Sequence, residues 1–348
     1  MKRQGIVQQS VTVEIGQHPK DSITVHYIGC AGFFITKGDN TILIDPYFSY
    51  KAFFRTRLIS EKHFISSRLS NAIDSTFTRA IGKKNDDAAV DALLIGHSHL
   101  DHLGDVPYLY NHHYLNSKVK VIGSTTTGQY LRGNGITAAN IIDNIEASAA
   151  SGQSNGRWVS INKNIRILPI LSEHAPHARF FGINISLASD KEREKRDIKY
   201  RFPPRYGTGQ TLSYLIDFLN DDSSVNFRIY HSSAGANSPY GFPPAEELTK
   251  HRIDLEILCA ASFNQVDYYP EELVSRLNPR HILLSHWEDF TFRSYTRIKE
   301  HPHANPFYNY RNFFSRFNQL MYEINTGSTG DEINYTLPNV DTRIMFYY

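Results

Sequence analysis

The 348-residue chain carries 37 basic and 35 acidic residues, a net charge of +2, and 41% of its residues are apolar. The near balance of charge excludes a broad nucleic-acid or anionic-membrane footprint, which needs a field of one sign. The apolar fraction excludes general disorder and is that of a globular protein with a real core. Two cysteines, Cys30 and Cys259, stand in the apolar contexts YIGCAGF and EILCAAS. They are too few for a disulfide framework or a thiolate metal site, and both read as buried thiols. The segment MKRQGIVQQSVTVEIG lacks an apolar h-region, and no stretch approaches the ~18 apolar residues of a membrane span. The expectation is a soluble, cytoplasmic protein.

In chain order, VTVEI, SITVHYI, FFIT and NTILIDP read as strands, with GDN as a turn, and are expected to pair as an antiparallel meander. From about residue 47 to 88 the pattern becomes helical, with Phe54, Leu58, Ile65, Leu69, Ala72 and Phe77 spaced near three, four and seven. VDALLIG is then a buried strand that runs into GHSHLDHLGD. Beyond it KVKVIG, NIRILPILSEH, TLSYLIDF, VNFRIYH, RIDLEILCA and RHILLSH continue as strands, with a helix at PEELVSRL. Strands mixed with helices in both halves predict one α/β domain over residues 1–348. The charged, Pro- and Gly-punctuated stretch at 189–209 reads as a loop insertion, solvated or gating a substrate.

The loop at 96–105 gathers three histidines and two aspartates at the end of a strand, where α/β sheets carry chemistry rather than core. In an extended segment residues two apart point the same way, so His97 and His99 can chelate one ion while Asp101 and His102 turn toward a second. His174, His231 and His286 each close an apolar run, so the histidines form a constellation of strand ends. Nitrogen and carboxylate donors suit one or two divalent ions, with zinc preferred and manganese or iron compatible.

Together GHSHLDHLGD, ILSEHAPH, HILLSHWEDF and IGCAGFFITKGDNTILIDPYF resemble the metallo-β-lactamase fold superfamily, whose hallmark is H-x-H-x-D-H. The resemblance covers roughly residues 22–290. A weaker similarity links DPYF and SHWEDF to the branch of N-acylphosphatidylethanolamine phospholipase D enzymes and UlaG-like lactonases. The resemblance implies an αββα sandwich, two mixed β-sheets flanked by helices, with the metal site at one sheet edge. It implies a first ion on His97, His99 and His174 and a second on Asp101, His102 and His286. Where the family carries a bridging aspartate this chain has IYHSSAGAN. His231 is then a candidate ligand and catalytic group, and Ser232 a candidate for the bridging position through water. The second site is alternatively weak or empty.

The implied activity is hydrolysis of a lactone, phosphodiester, ester or amide by metal-activated hydroxide, with Asp101 orienting the water. Asp45 is expected to support an imidazole, or else to be a turn aspartate before Pro46. Glu288 and Asp289 are expected to bond imidazoles or to cap the next helix. His177 and Arg179 are candidates for an anionic substrate group, equally readable as surface loop residues. Tyr47, Phe48, Phe53, Phe54 and Phe64 line a pocket or pack the helical segment down. His301 and His303 read as loop histidines, and FYNYRNFFSRF as a packed helix. The substrate is expected to be a small or lipid-like molecule. The rivals are a nuclease of the same superfamily, disfavoured by the charge balance, and a binding or scaffolding protein without turnover.

Overall fold

The computed structural model describes residues 10–14, 21–50, 66–82, 90–115, 117–136, 140–151, 154–175, 178–180, 183–185, 208–261, 263–327 and 332–348. Its N-terminal strands are β1 (Ser10–Glu14), β2 (Ser22–Gly29), β3 (Gly32–Lys37), β4 (Asn40–Ile44), β5 (Ala92–Leu94), β6 (Lys120–Ile122) and β7 (Ile141–Ile142). Then follow β8 (Val159–Ser160), β9 (Ile165–Ser172), β10 (Ala178–Phe180), β11 (Ile183–Ile185), β12 (Thr211–Leu219) and β13 (Val225–Ser232). The last are β14 (Leu255–Cys259), β15 (His281–Ser285), β16 (Asn334–Thr336) and β17 (Thr342–Tyr347).

Among the described residues β10 and β11 pair by themselves, and the other strands form one sheet in the order β1-β17-β2-β3-β4-β5-β6-β7 and another in the order β16-β15-β14-β13-β12-β9-β8. Both of these larger sheets are mixed. β2, β3 and β4 form an antiparallel meander, after which β4 to β7 run parallel. In the second sheet β13 to β16 run parallel and β8, β9, β12 and β13 antiparallel. The parallel strands β5, β14 and β15 are buried at every residue, as strands covered on both faces must be. Apolar side chains of both sheets join one continuous core, which gives the αββα sandwich.

One strand differs from its expected place. VTVEI does not pair with the meander; β1 lies parallel to β17, and β17 is antiparallel to β2. The chain's last strand returns between them and covers an edge that β2 would otherwise expose, a pairing between residues more than 300 apart that local pattern does not reveal.

The helix Ser67–Ile81 falls within the stretch expected to be helical, while residues 51–65 and 83–89, with Phe53, Phe54, Leu58, Phe64 and Ile65, lie outside the described residues. Ser66 caps it by accepting the Leu69 amide at 3.3 Å, and Gly82 ends it at φ +79°, with its amide on the Thr78 carbonyl. Phe77 meets Phe34 edge-on at 4.9 Å and also packs on Phe48. Tyr47 and Phe48 are themselves buried in this core, Phe48 packing on the helix and Tyr47 stacking on Tyr50 at 5.6 Å. FYNYRNFFSRF enters the helix Tyr310–Gly327, with Phe313 and Phe317 buried and stacked at 5.5 Å. Of the charged stretch at 189–209, residues 189–207 lie outside the described residues.

Candidate metal centre

The ends of β4, β5, β9, β13 and β15 meet at one edge of the sandwich. Two bonds lock the sheets together there: the Leu212 amide donates to the Gly96 carbonyl at 2.8 Å, and the Tyr214 hydroxyl donates to the Ile95 carbonyl at 2.6 Å. Gly96 is the residue that permits this approach. A Cβ on it would stand 2.2 Å from the Ser233 hydroxyl and 3.0 Å from an Asp45 oxygen.

Past Gly96 the chain stays extended through His99 and then turns into the short helix Leu100–Leu103. His97 Nε2 and His99 Nδ1 face each other at 3.0 Å. His174, just past β9, joins them, and one donor atom from each of the three lies within 4.8 Å of the others. Their remaining nitrogens are held by the protein. His97 Nδ1 bonds the Ser233 hydroxyl at 3.2 Å, His99 Nε2 the Thr208 hydroxyl at 3.2 Å, and His174 Nδ1 the Ala175 carbonyl at 2.6 Å. An imidazole tethered through one nitrogen and turned toward a common centre with the other is the arrangement metal ligands adopt.

Beside this triad, Asp101 Oδ2 lies 3.3 Å from His286 Nε2 and 3.7 Å from His102 Nε2. His102 Nδ1 is held at 2.9 Å by Asp45 Oδ2, whose Oδ1 accepts the Gly96 amide at 2.8 Å. Asp45 thus fixes one imidazole and the start of the loop together. Asp105 Oδ2 ties the loop's far end down by accepting the Phe48 and Ser49 amides at 2.6 and 2.8 Å. The His97 and His102 ring centres are 3.9 Å apart, so the two groups of donors are contiguous.

The electrostatics follow from burial and crowding. Burial, then the surrounding histidines, pushes the His97 imidazole well below its usual value, so it is neutral. Burial also depresses His102, but Asp45 and Asp101 outweigh it and raise the imidazole above its usual value. Burial pushes the Asp101 carboxyl up, yet His102, His286 and His99 hold it well below the carboxylate range. His97 and His102 are buried, whereas His99, Asp101 and His174 are only partly so and form the mouth.

Glu288 bonds no imidazole among the described residues. Its carboxylate accepts the Tyr27 and Tyr50 hydroxyls, each at 2.5 Å, and the Cys30 amide. The Cys30 carbonyl in turn accepts the His286 amide at 2.8 Å, so Glu288 acts on His286 through the backbone. Asp289 accepts the Phe292 amide at 2.9 Å, a local turn bond. Cys30, Asp45 and His286 adopt φ of +52°, +40° and +59°. Such conformations cost about 1–3 kcal/mol each and gather at functional sites.

His231 stands apart from both groups of donors. Residues two apart on a strand share a face, so it lies below Ser233, fully buried, with Nε2 on the Ala31 carbonyl at 3.3 Å. Burial pushes its imidazole down to about 4. The Ser232 hydroxyl faces the other way, toward the Ile257 carbonyl at 3.4 Å and the Cys259 amide at 3.5 Å. The hydroxyl that reaches the histidines is that of Ser233, which the sequence reading passed over; strand alternation from His231 is the signal that finds it. Thr208 carried no such signal. His177 and the Arg179 side chain lie outside the described residues, and His303 is exposed, bonding the Ala304 carbonyl at 2.9 Å.

A family model described as a beta-lactamase superfamily domain matches residues 40–218, about half of the chain. The chain belongs to the beta-lactamase superfamily. Among solved structures of this superfamily's fold, a metallo hydrolase, Igni18, from Ignicoccus hospitalis is similar over 94% of this chain and 99% of its own, with TM-score 0.50 and 12% identity. A possible metal-dependent hydrolase from Veillonella parvula covers 92% of this chain and 98% of its own at TM-score 0.48 and 12% identity. CmlA, a diiron β-hydroxylase from Streptomyces venezuelae, covers 96% of this chain and 55% of its own at TM-score 0.46 and 12% identity. No curated protein matches. Among the described residues no helix is long and apolar enough to cross a membrane.

Proposed function

We propose that this chain is a metal-dependent hydrolase of a lactone or phosphodiester, with other esters and amides as further substrates, carried on a single domain. The observation that carries the reading is the outward tethering of His97, His99, His102 and His174 by Ser233, Thr208, Asp45 and Ala175, which turns the other side of the first, second and fourth rings toward one another and that of His102 toward Asp101 beside them. In this reading His97, His99 and His174 hold one ion, and Asp101, His102 and His286 a second, with zinc the metal that suits the donors. When bound, such an ion supplies Lewis acidity, lowering the pKa of water from 15.7 to about 7 and polarising the oxygen under attack.

The chain's residues do the rest. Asp101, held ionised and one-fifth exposed at the mouth, orients the attacking water and accepts its hydrogen bond. Asp45 keeps His102 in the tautomer that presents Nε2 to the centre. Thr208 and Ser233 fix the ring planes of His99 and His97, so donor positions are set before substrate arrives. His177 and Arg179, which follow His174 in HAPHARF, bind an anionic substrate group.

The test is a panel of lactones, phosphodiesters, esters and amides assayed on zinc-loaded protein. Turnover of one class, abolished by a chelator and restored by zinc, is the expected outcome. Full turnover by metal-free protein overturns the reading.

A further inference from the structure

Cys30 lies in the turn between β2 and β3, and its thiol is aimed at the mixed-donor end of the centre. The sulfur, an Asp101 oxygen and a His286 ring nitrogen are all within 4.8 Å of one another. We propose that Cys30 is a thiolate ligand of the ion held by Asp101 and His286, which makes that end a nitrogen, oxygen and sulfur site selective for zinc over manganese. The inference rests on the metal-dependent reading above and names a donor that the superfamily resemblance does not imply.

Three observations carry it. The turn is fixed from both sides: Glu288 accepts the Cys30 amide, and the Cys30 carbonyl accepts the His286 amide at 2.8 Å. Gly29 before it, at φ +103°, has no room for a side chain, because a Cβ would fall 1.8 Å from the Tyr50 hydroxyl. The sulfur is therefore held where it is by its backbone. Second, His286 is 6% exposed and its Nδ1 has no hydrogen-bond partner among the described residues, so a ring that brings a nitrogen within 4.8 Å of the sulfur carries an uncommitted buried atom.

Third, Asp101 is the only carboxylate in the two groups of converging donors among the described residues, and Ser233, a neutral hydroxyl, reaches His97 from the end of β13. Asp45 and Glu288 place their charge behind His102 and the Cys30 turn rather than among the donors, and a thiolate supplies a second negative charge in the donor set itself. As the sulfur–metal bond forms, the S–H proton leaves to solvent. Cys259 is a free, buried thiol whose sulfur points to the Ala261 carbonyl at 3.9 Å, which makes it the internal control.

Zinc X-ray absorption on the loaded protein tests this together with metal counting and cobalt substitution. The expected result is a sulfur neighbour at about 2.3 Å, lost in Cys30→Ser and kept in Cys259→Ser. The second equivalent of zinc should bind about 10–100-fold more weakly in Cys30→Ser. Bound zinc with only nitrogen and oxygen neighbours overturns the role of Cys30 and leaves the hydrolase reading standing. No bound zinc overturns both. Should Cys30→Ser not fold, Cys259→Ser loaded with cobalt decides, since Cys30 is then its only cysteine. A thiolate-to-cobalt charge-transfer band supports the assignment, and its absence with cobalt bound overturns it.

Discussion

The two ends of the histidine cleft are built from the same ten-residue loop but anchored in different ways. At the imidazole end, His97, His99 and His174 are tethered by neutral groups, two hydroxyls and one carbonyl. At the mixed end, His102 is gripped by the buried carboxylate of Asp45, and the His286 turn is clamped through Cys30 by Glu288. A hydroxyl orients a ring without adding charge, whereas a buried carboxylate also raises the ring's basicity. The first end therefore orients imidazoles without adding charge, and the second stores negative charge around donors that are more varied.

Breaking the imidazole end should do the most damage. His99→Ala removes one of the three imidazoles at that end, and turnover should fall by more than the roughly 10–100-fold that loss of a supporting residue costs. Assay of the substrate panel alongside metal content checks it; unchanged turnover would mean that the reaction does not depend on the ion at this end. Asp45→Asn tests the other end. It keeps the Gly96 contact but removes the charge on His102, so the second equivalent of metal and turnover should both weaken by about 10–100-fold while the first equivalent stays. Equal loss of both equivalents would erase the distinction between the ends. Ser233→Ala removes a neutral tether from His97 and should cost about 10-fold, at the low end of that range, read from the zinc affinity of the first equivalent.

The fold and the histidine constellation were legible because both are local signals. Apolar runs marked the strands, and H-x-H-x-D-H is dense enough to stand out within six residues. Asp45 was legible because it ends such a run. What stayed hidden depends on contacts between distant segments. Glu288 was read as a partner for imidazoles, yet it meets Tyr27 and Cys30 from 261 and 258 residues away. Cys30 was read as a buried thiol, which it is. Its place beside Asp101 and His286 comes from the pairing of β2 with β3 and the docking of the loop after β15, which composition does not encode. Likewise β1 joined β17 because the chain's end returned to it.

Glu256 sharpens the contrast from outside the cleft. It is as deeply buried as Asp45 and Glu288, on β14, but both its oxygens lack a hydrogen-bond partner among the described residues. With no donor or cation to hold the charge, burial pushes its carboxyl up to about 8. The folded state thus binds this proton more tightly than the unfolded chain, whose glutamate titrates at about 4.3. Its protonated form contributes stability in full below the unfolded value. That contribution is lost as pH rises from there through about 8. Glu256→Gln carries no titrating proton. It should remove a pH-dependent component on the order of a few kcal/mol, gaining on the native protein in denaturation midpoint between pH 5 and 9. Turnover at neutral pH should stay within about two-fold, because Glu256 is in neither group of converging donors among the described residues. Parallel midpoint-against-pH curves for the two proteins would mean that Glu256 is charged and partnered, and that buried acids in this fold are held alike at the cleft and in the sheet.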